Sequence, residues 1–327
     1  MTKLVIQIPC LNEEATLPVT LADLPRSLPG IDRIELLVID DGSTDRTSEV
    51  ARAHGVHRIV RFAERRGLAR GFDAGLRESL AMGADIIVNT DADNQYVGAD
   101  VAKLVEPILA GRAEMVVGTR PIDTIPHFSP LKKVLQRLGS GVVRALSSAD
   151  VPDATSGFRA YSREAALRLT VLTGFTYTLE TLVQASHKNI AIAHVPIRVN
   201  GVLRESRLFR GMGSYITRSL GTLLRVYLLY RPLRFFLTLA GLSTFASLVL
   251  FVRFLVLFAM KPLQTGHVQS LIVAGVLAVI GVLFLALGVL SDLTAMNRIL
   301  LEEIVVNTRL SRLGHEARER SGEGNGA

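Results

Sequence analysis

Along residues 1–197 short apolar runs alternate with amphipathic stretches, and beyond residue 234 the chain becomes almost wholly apolar. Strand-like runs fall at Leu4–Ile8, Ile34–Ile39, Arg58–Phe62, Asp85–Thr90, Met115–Gly118 and Ile190–Ile197. Helix-period patterns separate the first five, at Glu13–Leu28, Thr44–His54, Leu68–Met82 and Ala99–Leu109. Near-continuous apolar strands are covered on both faces, and their alternation with helices predicts a mainly parallel sheet of α/β type. Ligands of such sheets gather beyond the carboxyl ends of the strands. Two later runs are of another kind. Phe235–Val252 has 18 residues without a charge, continuing past Arg253 to Met260, and Leu271–Leu290 has 20. Each is long enough to cross a bilayer as a helix. The short connection Lys261–His267 makes the pair a hairpin, and Arg253, near its outer end, is expected to reach for the interface.

Charge sharpens this division. Residues 1–199 carry 23 basic and 23 acidic side chains, whereas residues 200–234 carry seven Arg against one Glu. Nucleic-acid binding would spread basic residues over the folded domain, so nucleic acid is excluded as a partner. A basic segment just before an apolar span suits anionic lipid headgroups or phosphates. The Arg-rich flank, with Arg298, Arg309 and Arg312 after the second span, predicts a two-span membrane protein with both termini and the folded domain cytoplasmic. The opening segment is too short, and too early broken by Pro9, to read as a signal peptide. Within Gly211–Tyr230, Arg218 and Arg225 share one helical face, as expected of a helix lying in the membrane interface. The chain thus divides into 1–210, 211–234, 235–291 and 292–327, the last being a helix whose tail, Gly314–Ala327, is expected to be disordered. A lone cysteine, Cys10, excludes a disulfide framework and a Cys-based zinc site and reads as a small buried residue, and seven His without ligand spacing argue against a His-built metal centre.

The candidate chemistry sits at strand ends. Ile8-Pro-Cys-Leu-Asn-Glu-Glu14 follows the first strand, Ile39-Asp-Asp-Gly-Ser-Thr-Asp45 the second and Asn89-Thr-Asp-Ala-Asp-Asn-Gln95 the fourth. One Asp-rich turn is weak evidence, because Asp favours turns and helix caps; three at one edge point to a site. Asp91 and Asp93 can face one hard cation, Mg²⁺ or Mn²⁺, with Gln95 as a further oxygen ligand and diphosphate oxygens in the remaining positions. Asp41 and Asp40 suit nucleotide hydroxyl and ring N–H groups, although Asp40 alone also reads as a turn residue.

Together with Thr155-Ser-Gly-Phe-Arg-Ala-Tyr161, these motifs resemble a family 2 glycosyltransferase of GT-A (Rossmann-like) fold, over about residues 3–210. More narrowly, the chain is similar to polyprenyl-phosphate sugar synthases of the dolichol-phosphate-mannose synthase type that carry their own two-helix anchor. The resemblance implies that Pro9, Asn12, Glu14, Asp41 and Asp91 line the nucleotide-sugar pocket, and that Asp91 and Asp93 hold the metal with Gln95 in support. It implies that Arg120 reaches a phosphate, that Asp153, Ser156 and Arg159 sit at the reaction centre, and that Arg204 and Arg207 meet the lipid phosphate. Asp153 would orient the acceptor or accept a residual proton; alternatively it is a turn or cap residue before the Thr155–Tyr161 strand. The chain departs from the pattern at Glu64-Arg-Arg-Gly-Leu68, where members often show Asn before the Gly, and at Arg204-Glu-Ser-Arg207, where Gly-x-Ser-Lys is usual. The absence of Trp removes the Gln-x-x-Arg-Trp segment of processive polysaccharide synthases.

The implied reaction is inverting transfer of a hexose from a nucleotide sugar, of GDP-mannose or UDP-glucose type, to polyprenyl monophosphate. The alternatives are a glycolipid hydroxyl as acceptor and a non-catalytic nucleotide-sugar-binding membrane subunit. Membrane lipids are expected partners, and a homo-oligomer is left open.

Overall fold

In the computed structural model the described residues are 1–121, 151–171, 177–201, 221, 224–225, 227–260 and 268–323. The chain divides into two compact units, Met1–Leu223 with Val306–Ala327, and Leu224–Val305.

The first unit is built on a seven-stranded sheet: β1 (Lys3–Cys10), β2 (Arg33–Asp40), β3 (Arg58–Arg61), β4 (Ile86–Asn89), β5 (Met115–Thr119), β6 (Arg159–Ser162) and β7 (Ile192–Pro196), in the order β3-β2-β1-β4-β6-β5-β7. All pairings are parallel except those of β6, which runs against both neighbours. Alternate residues of the strands feed opposite faces, as the pleat requires. Leu4, Ile6 and Ile8 join Leu36 and Val38 beneath α1 (Leu17–Asp23), α2 (Thr47–Ala53) and α4 (Val101–Leu109). Val5, Leu37 and Ile39 join Phe72, Leu76 and Leu182 beneath α3 (Leu68–Ala81), α5 (Arg163–Arg168) and α6 (Tyr177–His187). Both faces are therefore dry, and the polar ends of the strands are where chemistry can gather. The α/β class with a mainly parallel sheet is as expected from the pattern; α5 and α6 are elements that the pattern does not announce.

The second unit holds α7 (Pro232–Met260) and the first part of α8 (Val268–Glu323), two helices long and apolar enough to cross a membrane. They pack through small and hydroxylated residues. Ser243 and Ser247 on α7 donate to the carbonyl oxygens of Leu277 and Ala274 on α8, each at 2.7 Å, and Arg253 Nη1 donates to Ser270 Oγ at 2.8 Å. One expectation is corrected here. The composition of Gly314–Ala327 predicts disorder, yet α8 continues unbroken through Glu323. Ala317, Arg318, Glu319 and Arg320 are strong helix formers, and extending an existing helix carries none of the nucleation cost that a separate short helix would. The juxtamembrane stretch 211–230 lies mostly outside the described residues; residues 224–225 and 227–230 are helical.

Candidate active site

Strand register brings the acidic turns to one edge. Cys10 lies beside Asp40 and Gln7 beside Asn89, so the turns after β1, β2 and β4 leave the sheet together. Because β6 is antiparallel, its first residue, Arg159, pairs with Asn89 and Val117. The segment entering β6, residues 151–158, therefore arrives at the same edge where β5 hands the chain to Arg120.

Asp91 is half-buried against this segment. A methyl group on Gly157 would stand 3.2 Å from both Asp91 carboxylate oxygens and 2.9 Å from the Tyr177 hydroxyl, so the close approach requires glycine. The Tyr96 hydroxyl donates to Asp91 and accepts from the Gly157 N–H at 3.2 Å. Beneath them, Asn89 Nδ2 donates to the Gly157 carbonyl at 2.8 Å and to the Tyr177 hydroxyl at 2.9 Å, while its Oδ1 accepts from Gln7 at 2.9 Å. Burial, and then the Asp93 carboxylate beside it, push the Asp91 carboxyl up to about 7. The Gln95 N–H donates to Asp93 Oδ1 at 3.3 Å, and the Oδ1 of Asn94 is buried with no hydrogen-bond partner among the described residues.

The second cluster is a buried ion pair. Arg120 Nε donates to Asp153 Oδ2 at 2.7 Å and its Nη2 to Asp153 Oδ1 at 3.1 Å; the same Nη2 donates to Thr155 Oγ1 at 3.0 Å, which in turn donates to Asp153 Oδ1 at 2.9 Å. Burial alone would raise the Asp153 carboxyl, but the Arg120 charge and these hydrogen bonds hold it below the usual carboxylate range. Asp153 is thus an ionised partner of Arg120, and such a carboxylate is a poor proton acceptor at neutral pH. Arg120 also acts electrostatically on Asp91, so the two clusters share one field.

Arg159 and Ser156 stand behind this surface, both fully buried. The Arg159 guanidinium donates to the carbonyl oxygens of Ser156 at 2.8 Å, Thr178 at 2.8 Å and Ala154 at 2.7 Å, and to Thr181 Oγ1 at 2.9 Å. It clamps the segment that carries Asp153 and Gly157 onto α6, which is a positioning duty.

The turns after β1 and β2 brace each other. Asn12, in the left-handed region at φ 55°, accepts from the Thr44 N–H at 2.8 Å and donates its own N–H to Ser43 Oγ at 2.9 Å. Glu14 accepts from the Arg46 N–H at 3.1 Å. Asp40 is buried, accepting from the Ser43 N–H at 2.7 Å and from the Ser48 hydroxyl. Asp41 accepts from the backbone N–H groups of Arg66 at 2.6 Å and Gly67 at 2.9 Å, at the start of α3. Gly42, at φ 74°, lets this turn lie on residues 64–65, where a methyl group would be 2.8 Å from the Arg65 nitrogen. Pro9, one residue before the end of β1, lies beside Ile39. The turns that carry Pro9, Asn12, Glu14, Asp41, Asp91, Asp93 and Gln95 therefore share one sheet edge with Arg120 and Asp153. Arg204 and Arg207 lie outside the described residues.

A divalent cation fits the residues present. Among the described residues no three His, Cys, Asp or Glu side chains gather into a self-contained metal site. The neighbouring carboxylates of Asp91 and Asp93, both acceptor-only when ionised, could serve a hard cation that draws further oxygen ligands from elsewhere. Tyr96, Tyr177 and Asn200 do not stand out in the sequence. Tyr96 follows the acidic turn directly, which is a usable signal; Tyr177 and Asn200 reach it only through the tertiary fold.

The sequence pattern of glycosyl transferase family 2 matches residues 5–170, about half of the chain. The chain is 27% identical over 205 residues to a polyprenol monophosphomannose synthase of Mycolicibacterium smegmatis, covering 58% of this chain and 74% of that protein. It is 29% identical over 220 residues to an undecaprenyl-phosphate mannosyltransferase of Micrococcus luteus, covering 63% and 87%. Among solved structures it resembles the glucosyl-3-phosphoglycerate synthase of Mycobacterium tuberculosis crystallised with Mn²⁺, UDP-glucose and phosphoglyceric acid, with a TM-score of 0.55, 25% identity, and coverage of 69% and 79%.

Proposed function

The chain belongs to glycosyl transferase family 2, and from that premise we propose that it transfers a hexose from a nucleotide sugar to polyprenyl monophosphate at the cytoplasmic membrane surface. The names of the two mannosyl-transferring relatives support the acceptor class. The observation that carries the reading is the meeting of the Asp91 turn with the buried Arg120–Asp153 pair at one sheet edge. Asp91 and Asp93 would hold Mg²⁺ or Mn²⁺, and that ion, when bound, offsets the charge of the departing nucleoside diphosphate. Arg120 keeps its positive charge directed at the same region, and its pairing with Asp153 fixes the orientation of its guanidinium.

In the reaction an acceptor phosphate oxygen forms a bond to the anomeric carbon as the bond from that carbon to the donor diphosphate breaks. The electron pair leaves with the nucleoside diphosphate. A phosphate acceptor is already anionic at neutral pH, so the step needs positioning and charge stabilisation more than a base. This agrees with the environment of Asp153, whose charge is engaged by Arg120 and whose carboxyl is held low. A glycolipid hydroxyl as acceptor would require a base in that place. Asn12, Glu14 and Asp41 stand where the nucleotide is proposed to lie, and Arg204 and Arg207 are proposed to receive the lipid phosphate through paired, charge-assisted hydrogen bonds. The Arg-rich stretch before α7 supports a cytoplasmic placement of the catalytic domain and of both termini.

The test is to incubate the purified full chain with a panel of nucleotide sugars, polyprenyl phosphate and Mg²⁺ or Mn²⁺, and to analyse the lipid products by mass spectrometry. A polyprenyl-phosphate hexose is expected. Transfer to a lipid alcohol with none to the phosphate would overturn the acceptor assignment.

A further inference from the structure

The acidic turn after β4 is held from outside by a segment that none of the strand-end motifs includes. Just after β7, residues 198–200 run antiparallel to residues 95–97, with Tyr96 bridged to Val199. The Asn200 N–H donates to the Gln95 carbonyl at 2.8 Å, and the Val97 N–H donates to the Arg198 carbonyl at 3.5 Å. Asn200 then adds its side chain. Its Nδ2 donates to the carbonyl oxygens of Asn94 at 3.1 Å and of Tyr96 at 3.4 Å. Three successive carbonyl groups of the turn, those of residues 94, 95 and 96, are thus gathered by one asparagine. Asn94 itself is in the left-handed region at φ 54°, which asparagine enters more readily than other non-glycine residues.

Below Asn200 the segment is pinned again. Arg198 donates its N–H to Asp100 Oδ2 at 2.7 Å and its Nη2 to Asp100 Oδ1 at 2.8 Å. Arg198 is exposed but Asp100 is buried, and against that burial the bonds from Arg198 hold the Asp100 carboxyl down to about 2; the pair fixes where Asn200 stands.

We propose that Asn200 is a positioning residue of the donor site: its side-chain amide holds the Asn94–Tyr96 backbone in the shape that presents Asp91 and Asp93 together to a divalent cation. It touches neither substrate nor metal. The inference rests on the cation reading of Asp91 and Asp93 made above. An asparagine is suited to the duty because its amide offers two N–H donors on one nitrogen, matching two carbonyl acceptors. An aspartate has the same shape and offers none.

The experiment uses the full chain in detergent with Asn200→Ala and Asn200→Asp, and Asp91→Ala as the reference. Mn²⁺ binding is followed by the loss of the free-ion electron paramagnetic resonance signal in the presence of UDP or GDP, and backbone hydrogen exchange of residues 94–97 is measured without metal. Both Asn200 variants are expected to weaken Mn²⁺ binding roughly tenfold, as for losing one to two hydrogen bonds, and to speed exchange at residues 94–97. KM for the nucleotide sugar should rise while KM for polyprenyl phosphate stays put. If Asn200 merely fills space, Asn200→Asp will behave like the unaltered chain in all three measurements, and that result overturns the proposal. Equal Mn²⁺ affinity in the unaltered chain and in Asp91→Ala would instead remove the cation assignment. The exchange at residues 94–97, which needs no metal, would then still decide whether Asn200 holds the turn, and unchanged exchange in both variants ends the idea.

Discussion

The two units of the chain use apolar residues in opposite ways. In the sheet unit the large apolar side chains of β1, β2 and β4 are mostly hidden, and charged ones that go inside, Asp40, Asp153 and Arg159 among them, are held by partners. In the helical pair, Leu242, Phe245, Leu248, Val276, Val279 and Val282 are all exposed, while Ser243, Ser247 and Ala274 are covered. The inversion follows from the solvent each is made for. Water drives apolar surface together, at about 25 cal/mol per Å². Hydrocarbon gives no such drive, so helices in it meet through small residues and hydroxyl bonds. Gly281 and Gly288 make that approach possible: a methyl group on the first would stand 2.7 Å from Thr244 Oγ1, and on the second 3.0 Å from Phe236 Cβ. The sheet unit is therefore stabilised by what it hides and vulnerable wherever a buried charge loses its partner. The hairpin should be comparatively tolerant.

The largest effect should come from the acidic turn. Asp91→Asn keeps the shape and removes the charge, and turnover should fall at least ~100-fold, the loss expected when transition-state charge stabilisation worth about 3 kcal/mol is removed. The fold should survive. Because burial and Asp93 disfavour ionised Asp91, the metal-free variant should melt no lower than the unaltered chain at pH 8. Steady-state kinetics and a thermal melt on one preparation check both halves, and near-normal turnover would take Asp91 out of the chemistry.

Next in size is Arg120→Ala. It leaves the fully buried Asp153 carboxylate without its bidentate partner, and breaking such a pair costs roughly 3–5 kcal/mol. Denaturant unfolding of the sheet unit should show the loss, and Arg120→Ala with Asp153→Ala together should recover part of it. If the single variant is as stable as the unaltered chain, the two side chains do not act as a buried pair.

How much of the molecule is legible in its sequence divides along the same line. The spans are legible because an uncharged apolar run of 18 or 20 residues matches the thickness of a bilayer and exceeds what a soluble core usually covers. Strands β1 to β5 and β7 are legible because a short apolar run marks each of them, and the acidic turns because acidic clusters follow β1, β2 and β4. The bonding of those acids is not. Nothing local in Asp41 says that the N–H groups of residues 66 and 67 will reach it, and nothing in Asp153 says that it will meet Arg120, 33 positions away. Arg159 reads as a reaction-centre cation, whereas the fold surrounds it with carbonyl oxygens. Those partners are set by β6 running antiparallel, and strand direction leaves no trace in a four-residue stretch. The helical tail misleads for a different reason: its polar, Gly-rich composition speaks for disorder, while its attachment to an existing helix speaks more strongly for continuation.

A milder effect is expected from pH. The folded state raises the Asp91 carboxyl from 3.8 to about 7, so it favours the protonated form. That preference stabilises the metal-free fold fully below the unfolded value and is lost as pH rises through about 7. A cation needs the carboxylate, so it competes with this proton, and Mn²⁺ affinity should rise with pH by up to ~10-fold per unit below 7 and level off above it. Titration with Mn²⁺ between pH 5.5 and 8.5, values chosen to bracket that midpoint, reads the slope. A flat profile would mean that Asp91 is already ionised when the cation arrives.

The smallest effect should be in the hairpin, and it is the sharpest probe of the contrast. Ser243→Ala and Ser247→Ala each delete one bond from α7 to an α8 carbonyl, 2.7 Å long in both cases. In the sheet unit the loss of a buried polar partner strands the other group. Here the acceptors are backbone carbonyls inside a continuous helix, which keep their own helical N–H donors, so no polar group is orphaned. Interhelical bonds of this kind contribute about 0.6 kcal/mol on average. Each substitution should therefore shift hairpin stability by less than ~1 kcal/mol, and the double variant by close to the sum of the two. Steric-trapping measurements in bicelles would register such a difference, with Gly281→Leu as the control that forces the helices apart. A loss of several kcal/mol from either serine alone would show that the hairpin is held, like the sheet unit, by polar partners it cannot replace.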